Sequence, residues 1–388
     1  MAKIEYFRGT NRLNSLANLL SGNILPLCDE RIELSYVSLV WVTFVWVVRS
    51  TYFLTVLAGS FYFANLTTKE AFKKSGAAIA VFFELIIPTI YLNVRRKDLR
   101  ELVRKYNQTL IDSEDLRKMV CDTVEPYRKG LQLYVIVCLI TASSWSAAPI
   151  FITFKNDRFT YADYAAPAYL PGEPFTVNVF RAGVALQILG GSFTSFGKIS
   201  IDVYVTHFIA VSSAEYKYVG AQLSDALRQE DDETALVNAL RTCVRHHGAI
   251  IKIGRKLSDL LALHIGTTYV SCIMKLCFLG YGVITFESAP VEKAAYMVYA
   301  AACIFQLFLL CSCIQELLDV STSVTHDAFH ENWHARSTLV KKMFYTMEMS
   351  NAMECRLSAY RVVDLVVPSL AQILSKSYSV CLLLLEVN

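Results

Sequence analysis

The chain has 388 residues, 54% of them hydrophobic and 18% charged, with a net charge of +3 and a mean hydropathy of +0.38. Soluble domains carry about a quarter charged residues, so this composition excludes an ordinary soluble protein. The lack of a basic stripe interleaved with aromatics excludes nucleic acid as a partner. What charge there is lies in blocks, and the apolar runs between them approach the ~20 residues a helix needs to cross the hydrocarbon core of a bilayer. Backbone groups in lipid must bond within their own segment, so such runs are helices.

Residues 1–35 contain Arg8, Arg12, Asp29, Glu30 and Arg31 and no apolar core with a small-residue cleavage site. No signal peptide is therefore expected, and the first apolar run, Tyr36 to Ala64, is expected to insert as its own uncleaved signal; only Arg49 interrupts it. The second run, Gly76 to Val94, contains Glu84 and stops at Arg95, Arg96 and Lys97. Beyond it Leu99, Leu102, Val103, Tyr106 and Leu110 recur at helical spacing, which predicts an amphipathic helix outside the lipid. The third run, Leu131 to Phe154, has no charge. From Asp157 to Phe175 the punctuation by Pro167, Pro171, Gly172 and Pro174 predicts an irregular, Tyr-rich lid.

The fourth run begins near Val177 and continues past Ile201; Arg181 and Lys198 stand near its ends, where long basic side chains snorkel to water. Ala221 to Leu240 and Val244 to Leu263 are amphipathic and predict helices that project from the membrane. The fifth run, about Leu260 to Phe286, contains Lys275, and the sixth, Ala294 to Ile314, is uncharged. Val320 to Ala359 reads as one amphipathic helix feeding the seventh run, Val362 to Leu385, which holds Asp364 and Lys376. Lys376 is placed to face an aqueous path. The expected fold is all-α: a polytopic membrane protein of seven transmembrane helices.

Orientation follows from the basic residues. With the N-terminus cytoplasmic, the inner segments hold 26 Lys and Arg and the outer loops six; this bias puts the N-terminus inside and, after an odd number of spans, the C-terminus outside. Asn65-Leu66-Thr67 then falls in the first outer loop as a glycosylation acceptor, whereas Asn107-Gln108-Thr109 lies inside and is expected to stay unmodified. None of the eleven cysteines falls in an outer loop, so no external disulfide is expected.

Enzyme signatures are missing: there is no phosphate-binding glycine loop, nucleophile elbow, HExxH helix or CxxC pair. No catalytic role and no cofactor are expected. His326, His330 and His334 repeat at i, i+4, i+8, a spacing compatible with metal ligation, and His246-His247 are adjacent. The commoner meaning is a solvated or interface face, and no metal is expected. For Glu84 a buried partner and a water-filled cavity both fit. Ile79, Phe82 and Phe83 in the second run, Cys138, Thr141 and Trp145 in the third, and Tyr296 and Tyr299 in the sixth stand at helical spacing. Such a set suits an apolar small-molecule pocket with a few hydroxyls, but on spacing alone ordinary packing with an interfacial aromatic belt is the commoner meaning.

The closing stretch, Phe344 to Leu385, has an amphipathic helix, then Leu365-Val366-Val367-Pro368-Ser369-Leu370, then Ile373-Leu374-Ser375-Lys376-Ser377-Tyr378-Ser379-Val380 and a final leucine run. This order resembles the C-terminal motif of insect odorant receptors, and the resemblance extends over the whole chain: its length, its seven spans, the Trp333 region and the short loop Glu287 to Lys293. It implies an odorant-gated, non-selective cation channel of the plasma membrane of olfactory neurons, in which the chain serves as a ligand-tuning subunit in a tetramer with the Orco coreceptor. The partners implied are a small volatile odorant, the coreceptor, the lipid bilayer and permeant cations. By the same resemblance, residues 1–315 hold six spans and the odorant pocket, and 316–388 hold a cytoplasmic anchor and the pore-lining seventh span. The implied pocket is Ile79, Phe82, Phe83, Cys138, Thr141, Trp145, Val184, Ile188, Tyr296 and Tyr299, and the implied hydrophobic gate is Cys381 and Leu385.

Two rival families fit less well. A gustatory-type receptor channel would carry a Gln-Phe pair after the tyrosine, and none follows Tyr378. A G-protein-coupled receptor would have an external N-terminus, an Asp-Arg-Tyr after the third span and an outer-loop cysteine, and the chain has none of the three.

Overall fold

The computed structural model describes residues 6–9, 12–27, 36–64, 68–169, 173–229, 232–285, 290–360 and 362–387. The helices are α1 (Tyr6–Gly9), α2 (Arg12–Ser21), α3 (Tyr36–Ala64), α4 (Thr68–Val94), α5 (Arg96–Asp112), α6 (Glu114–Lys155), α7 (Val177–Gln229), α8 (Glu233–Thr285), α9 (Pro290–Thr322), α10 (His326–Phe329), α11 (Thr338–Asn351) and α12 (Val367–Val387). A two-stranded antiparallel pair, β1 (Ser358–Ala359) and β2 (Val363–Asp364), precedes α12. Each of the seven apolar runs contributes a helix, although the seventh becomes helical only from Val367, after β2. Among the described residues α3, α6, α8, α9 and α12 are each long and apolar enough to cross a bilayer, and α4 with α5, bent by 73°, makes a sixth candidate.

α7 is the central helix. Every residue from Gly197 to Tyr216 is buried, so it needs no lipid-facing stripe and tolerates Ser, Thr, Asp, His and Glu along its length. α7 and α8 have 53 residues each. At 1.5 Å per residue they are about 80 Å long, more than twice the ~30 Å hydrocarbon core, so one end of each projects from the membrane. The main apolar core lies mostly in this projecting bundle, where Tyr106 of α5, Phe208 of α7, Leu257 of α8, Leu317 of α9 and Phe344 of α11 are enclosed together. The amphipathic segment after the second run is helical as its spacing predicts, whereas Ala221 to Leu240 is divided between the end of α7 and the start of α8, and Val244 to Leu263 continues within α8. α8 starts where Asp232 caps it, accepting from the Thr234 and Ala235 amides at 3.2 and 3.3 Å.

The single helix expected from Val320 to Ala359 is instead broken into α10, a 3₁₀ turn at Asn332–Ala335, α11 and the β pair. The breaks have local causes: Ser321, Thr322 and Ser323 turn their hydroxyls back onto Leu318 and Asp319 carbonyls, and Ser337 caps α11 by accepting from the Val340 amide at 3.4 Å. His326, His330 and His334 therefore do not share one helical face, and no three metal-competent side chains come together among the described residues. Asp364 lies in β2, ahead of the last membrane helix, 3.4 Å from Arg356.

The N-terminal segment packs as a wedge against α7. Asn18 accepts from the Ser200 hydroxyl at 2.5 Å, and Trp41 and Trp46 donate to the carbonyls of Leu19 and Gly22 at 2.7 and 3.1 Å. Gly22 ends α2 at a φ of +64°, where a side chain would be strained and would also meet Val45. Asn107 is buried and its Oδ1 accepts from the Phe7 amide at 2.9 Å, so the second acceptor triplet is a packing element. Asn65 lies outside the described residues.

Glu215, in the projecting half of α7, is fully enclosed. Thr109 of α5 donates to one oxygen at 2.8 Å, and the other has no hydrogen-bond partner. Burial pushes its carboxyl up to about 7. The folded protein then holds this proton to a higher pH than the unfolded chain does, so stability falls as pH rises from the ordinary carboxylate range through about 7 and levels off above it. The loss is on the order of 3 kcal/mol at 1.36 kcal/mol per unit. Thermal melts of detergent-solubilised protein should show Glu215→Gln matching wild type near pH 5 and melting higher at pH 8; parallel curves would remove Glu215 as the cause.

Candidate functional site

The aromatic and hydroxyl residues singled out from spacing fall into three groups. α6 and α9 bring Trp145 and Tyr296 into an edge-to-face contact, ring centroids 5.1 Å apart at 87°. Thr141 is buried one turn below Trp145 and spends its hydroxyl on the Val137 carbonyl at 2.9 Å. Cys138, a turn further down, packs beside Tyr134, Ile199 and Val203. Tyr299 stands within electrostatic range of Cys138, Lys275 and Glu84. These five side chains form one column down the α6–α9 seam.

The other two groups lie apart from this column. Phe82 of α4 packs against Tyr52 and Phe53 of α3, with centroids 5.8 and 4.9 Å away, while Ile79 and Phe83 are 39% and 56% exposed. Val184 is buried under the lid, in a cluster with Phe63, Phe159, Tyr161, Tyr164, Phe175 and Phe180, and Ile188 packs against the same cluster. In its described residues the lid has no α-helix, only a 3₁₀ turn at Tyr161–Asp163. It is pinned by a Phe159–Phe175 backbone bridge, with N···O distances of 3.3 and 2.8 Å, and by Tyr161 stacked on Tyr169 at 5.5 Å.

Tyr296 also packs against a cluster of Cys277 and Tyr281 of α8 with Cys381, Leu384 and Leu385 of α12. Tyr296 thus touches Trp145 and also lies on a cluster to which α8 and the last helix both contribute. Cys381 is 6% exposed and faces its own chain; Tyr378 and Leu383 are on the open side of α12, at 65% and 59%.

Below the column lies an ionic core inside the membrane. Glu84 of α4 is ion-paired with Lys275 of α8 and, at 3.0 Å, with Lys198 of α7; Lys198 also pairs with Asp202. Gln306 of α9 donates to both carboxylates, at 3.2 Å to Glu84 and 3.0 Å to Asp202, and Tyr134 of α6 donates to Asp202 at 3.1 Å. His264 of α8 stands fully enclosed, 3.9 Å from Asp202. Two acids and two amines give a neutral set in which each charge has a partner, the condition for burying charge in lipid. Glu84 thus takes the buried-partner alternative. Lys198, expected to snorkel, is 8% exposed and turns inward, because Asp202 one turn on and Glu84 across the interface offer it anions that lipid does not. Arg181 is exposed, as the snorkelling expectation has it. Lys376 donates to the Tyr269 hydroxyl at 2.7 Å. Sequence reasoning missed Asp202, Gln306 and Tyr134; the Lys198–Asp202 spacing of four was the available signal.

The fold and site define a polytopic helical membrane protein with an aromatic column over a neutral ionic core. The family model described as 7tm Odorant receptor matches residues 68–378, and the chain belongs to the odorant receptor family. It is 23% identical over 142 residues to Odorant receptor 67a of Drosophila melanogaster, covering 37% of this chain and 35% of that one. It is 20% identical over 260 residues to Odorant receptor 94a of the same organism, covering 66% and 65%. The matched stretches thus span about a third and just under two thirds of these relatives. Among solved structures, the insect olfactory receptor OR5 from Machilis hrabei in complex with eugenol superposes with a TM-score of 0.81 at 14% identity, covering 99% of this chain and 100% of that one. Its fold is therefore that of insect odorant receptors.

Proposed function

We propose that this chain is the ligand-tuning subunit of an odorant-gated, non-selective cation channel, assembled as a tetramer with the Orco coreceptor in the plasma membrane of olfactory neuron dendrites. The observation that carries the reading is Tyr296, in contact at once with Trp145 in the α6–α9 column and with the cluster that holds Cys381 and Leu385. A ligand that displaces Trp145 must move Tyr296, and Tyr296 bears on α12. The column is apolar with a few hydroxyls, which suits a small volatile with one hydrogen-bonding group; OR5 of Machilis hrabei is described with eugenol bound.

In this reading the primary contacts are Cys138, Thr141, Trp145, Tyr296 and Tyr299. Phe82, packed on α3, and Val184 and Ile188, packed under the lid, lie apart from these contacts, and Ile79 and Phe83 are on the open side of α4. Residues 1–315 carry six spans and the pocket, and 316–388 carry the anchor and the pore helix. Cys381 and Leu385 support the gate from within the subunit. The apolar face of α12 blocks ions by dewetting when closed. The basic residues of the inner segments support a cytoplasmic N-terminus and an external C-terminus. Asn65 then carries glycan: Asn65→Gln should abolish an endoglycosidase-sensitive shift, and a shift that persists through Asn107 would reverse the orientation.

The reading is tested by recording odorant-evoked currents from cells expressing the chain with the coreceptor, the chain alone or the coreceptor alone. Odorant selectivity that appears only in the pair is the expected result. Responses that need GTP in excised patches would transfer the chain to a metabotropic mechanism.

A further inference from the structure

Where α4 leaves the lipid, Ile90 and Val94 are still exposed, at 58% and 76%, and the chain then bends by 73° into α5. This places the first turns of α5 at headgroup level. They carry Arg95, Arg96, Lys97, Asp98, Arg100 and Glu101. The two acids are engaged elsewhere: Asp98 with Arg95 at 3.2 Å and Lys256 at 3.6 Å, Glu101 with Lys105 at 3.2 Å and Lys256 at 2.6 Å. Arg96 and Arg100 are left over. They sit one helical turn apart, both half-buried, each with its Nε shielded from water and without a hydrogen-bond partner, and neither meets a carboxylate among the described residues. Like charges at i, i+4 repel, and a shielded guanidinium without an acceptor costs free energy. The pair adjoins Tyr204 of α7, whose own hydroxyl donates to the Pro26 carbonyl at 2.8 Å, so among the described residues the adjoining wall offers it no anion.

We propose that Arg96 and Arg100 form a binding site for the phosphate headgroup of an anionic lipid of the cytoplasmic leaflet. Two adjacent guanidinium forks match the oxygens of a phosphate, the inner leaflet is where anionic lipids concentrate, and a phosphate between the two side chains removes both the repulsion and the unsatisfied donors. Lys97, exposed on the next face of the helix, carries the same charge without the shielding and is not part of the site.

The full-length chain is reconstituted into phosphatidylcholine bilayers with or without phosphatidylinositol bisphosphate, and retained lipid is counted by native mass spectrometry. Wild type should retain the anionic lipid, Arg96→Gln with Arg100→Gln should lose it roughly tenfold, and Lys97→Gln should match wild type. Arg96→Lys with Arg100→Lys keeps the charge without the planar forks and should fall in between, which separates lost recognition from lost folding. Equal retention by the double Gln variant overturns the site. Equal loss in Lys97→Gln makes the attraction diffuse surface charge. Displacement of the lipid by millimolar inorganic phosphate would make it a site for the free anion and also overturns the proposal.

Discussion

Glu84→Gln should sharply reduce folded receptor at the cell surface, and adding Lys275→Met to the same chain should restore most of it. The single change leaves Lys198 and Lys275 facing one remaining carboxylate, Asp202, in a site that no water reaches from the lipid side. Breaking a buried ion pair by removing one partner costs about 3–5 kcal/mol, whereas removing both is near neutral. A loss of that size is a large share of the stability of most proteins and is read as abundance in a cell. Surface biotinylation of the two singles and the double closes a mutant cycle. The expected coupling is positive and large; additive losses would mean that the ionic core does not act as one unit.

Tyr296→Ala is expected to raise the odorant concentration for half-maximal current by one to two decades and to lower the maximal current as well. The edge-to-face pair with Trp145 accounts for about 0.5–1.5 kcal/mol beyond burial, and the lost apolar area adds roughly 1.5–3 kcal/mol if the ring is fully covered by ligand. The drop in maximum arises because the same ring packs against the cluster of Cys277, Tyr281 and Cys381. Trp145→Ala removes only the upper contact and should shift sensitivity with less effect on the maximum. Phe83→Ala, at a position 56% exposed, should leave the dose–response curve close to wild type. A Phe83 effect as large as that of Tyr296 would move the pocket to the α4 side.

Much of the fold was legible because lipid is an exacting solvent. Seven apolar runs bounded by charge blocks became seven helices, since a chain in hydrocarbon has few other ways to satisfy its backbone. The Leu99-to-Leu110 spacing gave α5 for the same reason that amphipathic helices are legible in water. The broken segment after α9 was not legible, because its apolar periodicity continues while Ser321, Thr322, Ser323 and Ser337 compete locally for the backbone. The site was half legible. Spacing along one helix identifies a face but not its neighbour, so Trp145 and Tyr296 met while Phe82 turned to α3 and Val184 to the lid. The ionic core was legible one residue at a time, as Glu84, Lys198 and Lys275. Which charges pair depends on how α4, α7 and α8 cross, and no local pattern encodes that crossing.

The central claim, that ligand contact in the column is transmitted through Tyr296 to the last helix, is tested most directly at Cys381. The residue is 6% exposed and clusters with Cys277 and Tyr281. A cationic thiol reagent applied from outside should modify current slowly at rest and much faster with odorant present, and Cys381→Ser should abolish the effect. In the Tyr296→Ala background the odorant-dependent acceleration should shrink toward the resting rate. If Cys381 reacts at the same rate with and without odorant, or if acceleration survives the loss of Tyr296 unchanged, the coupling does not run through this contact.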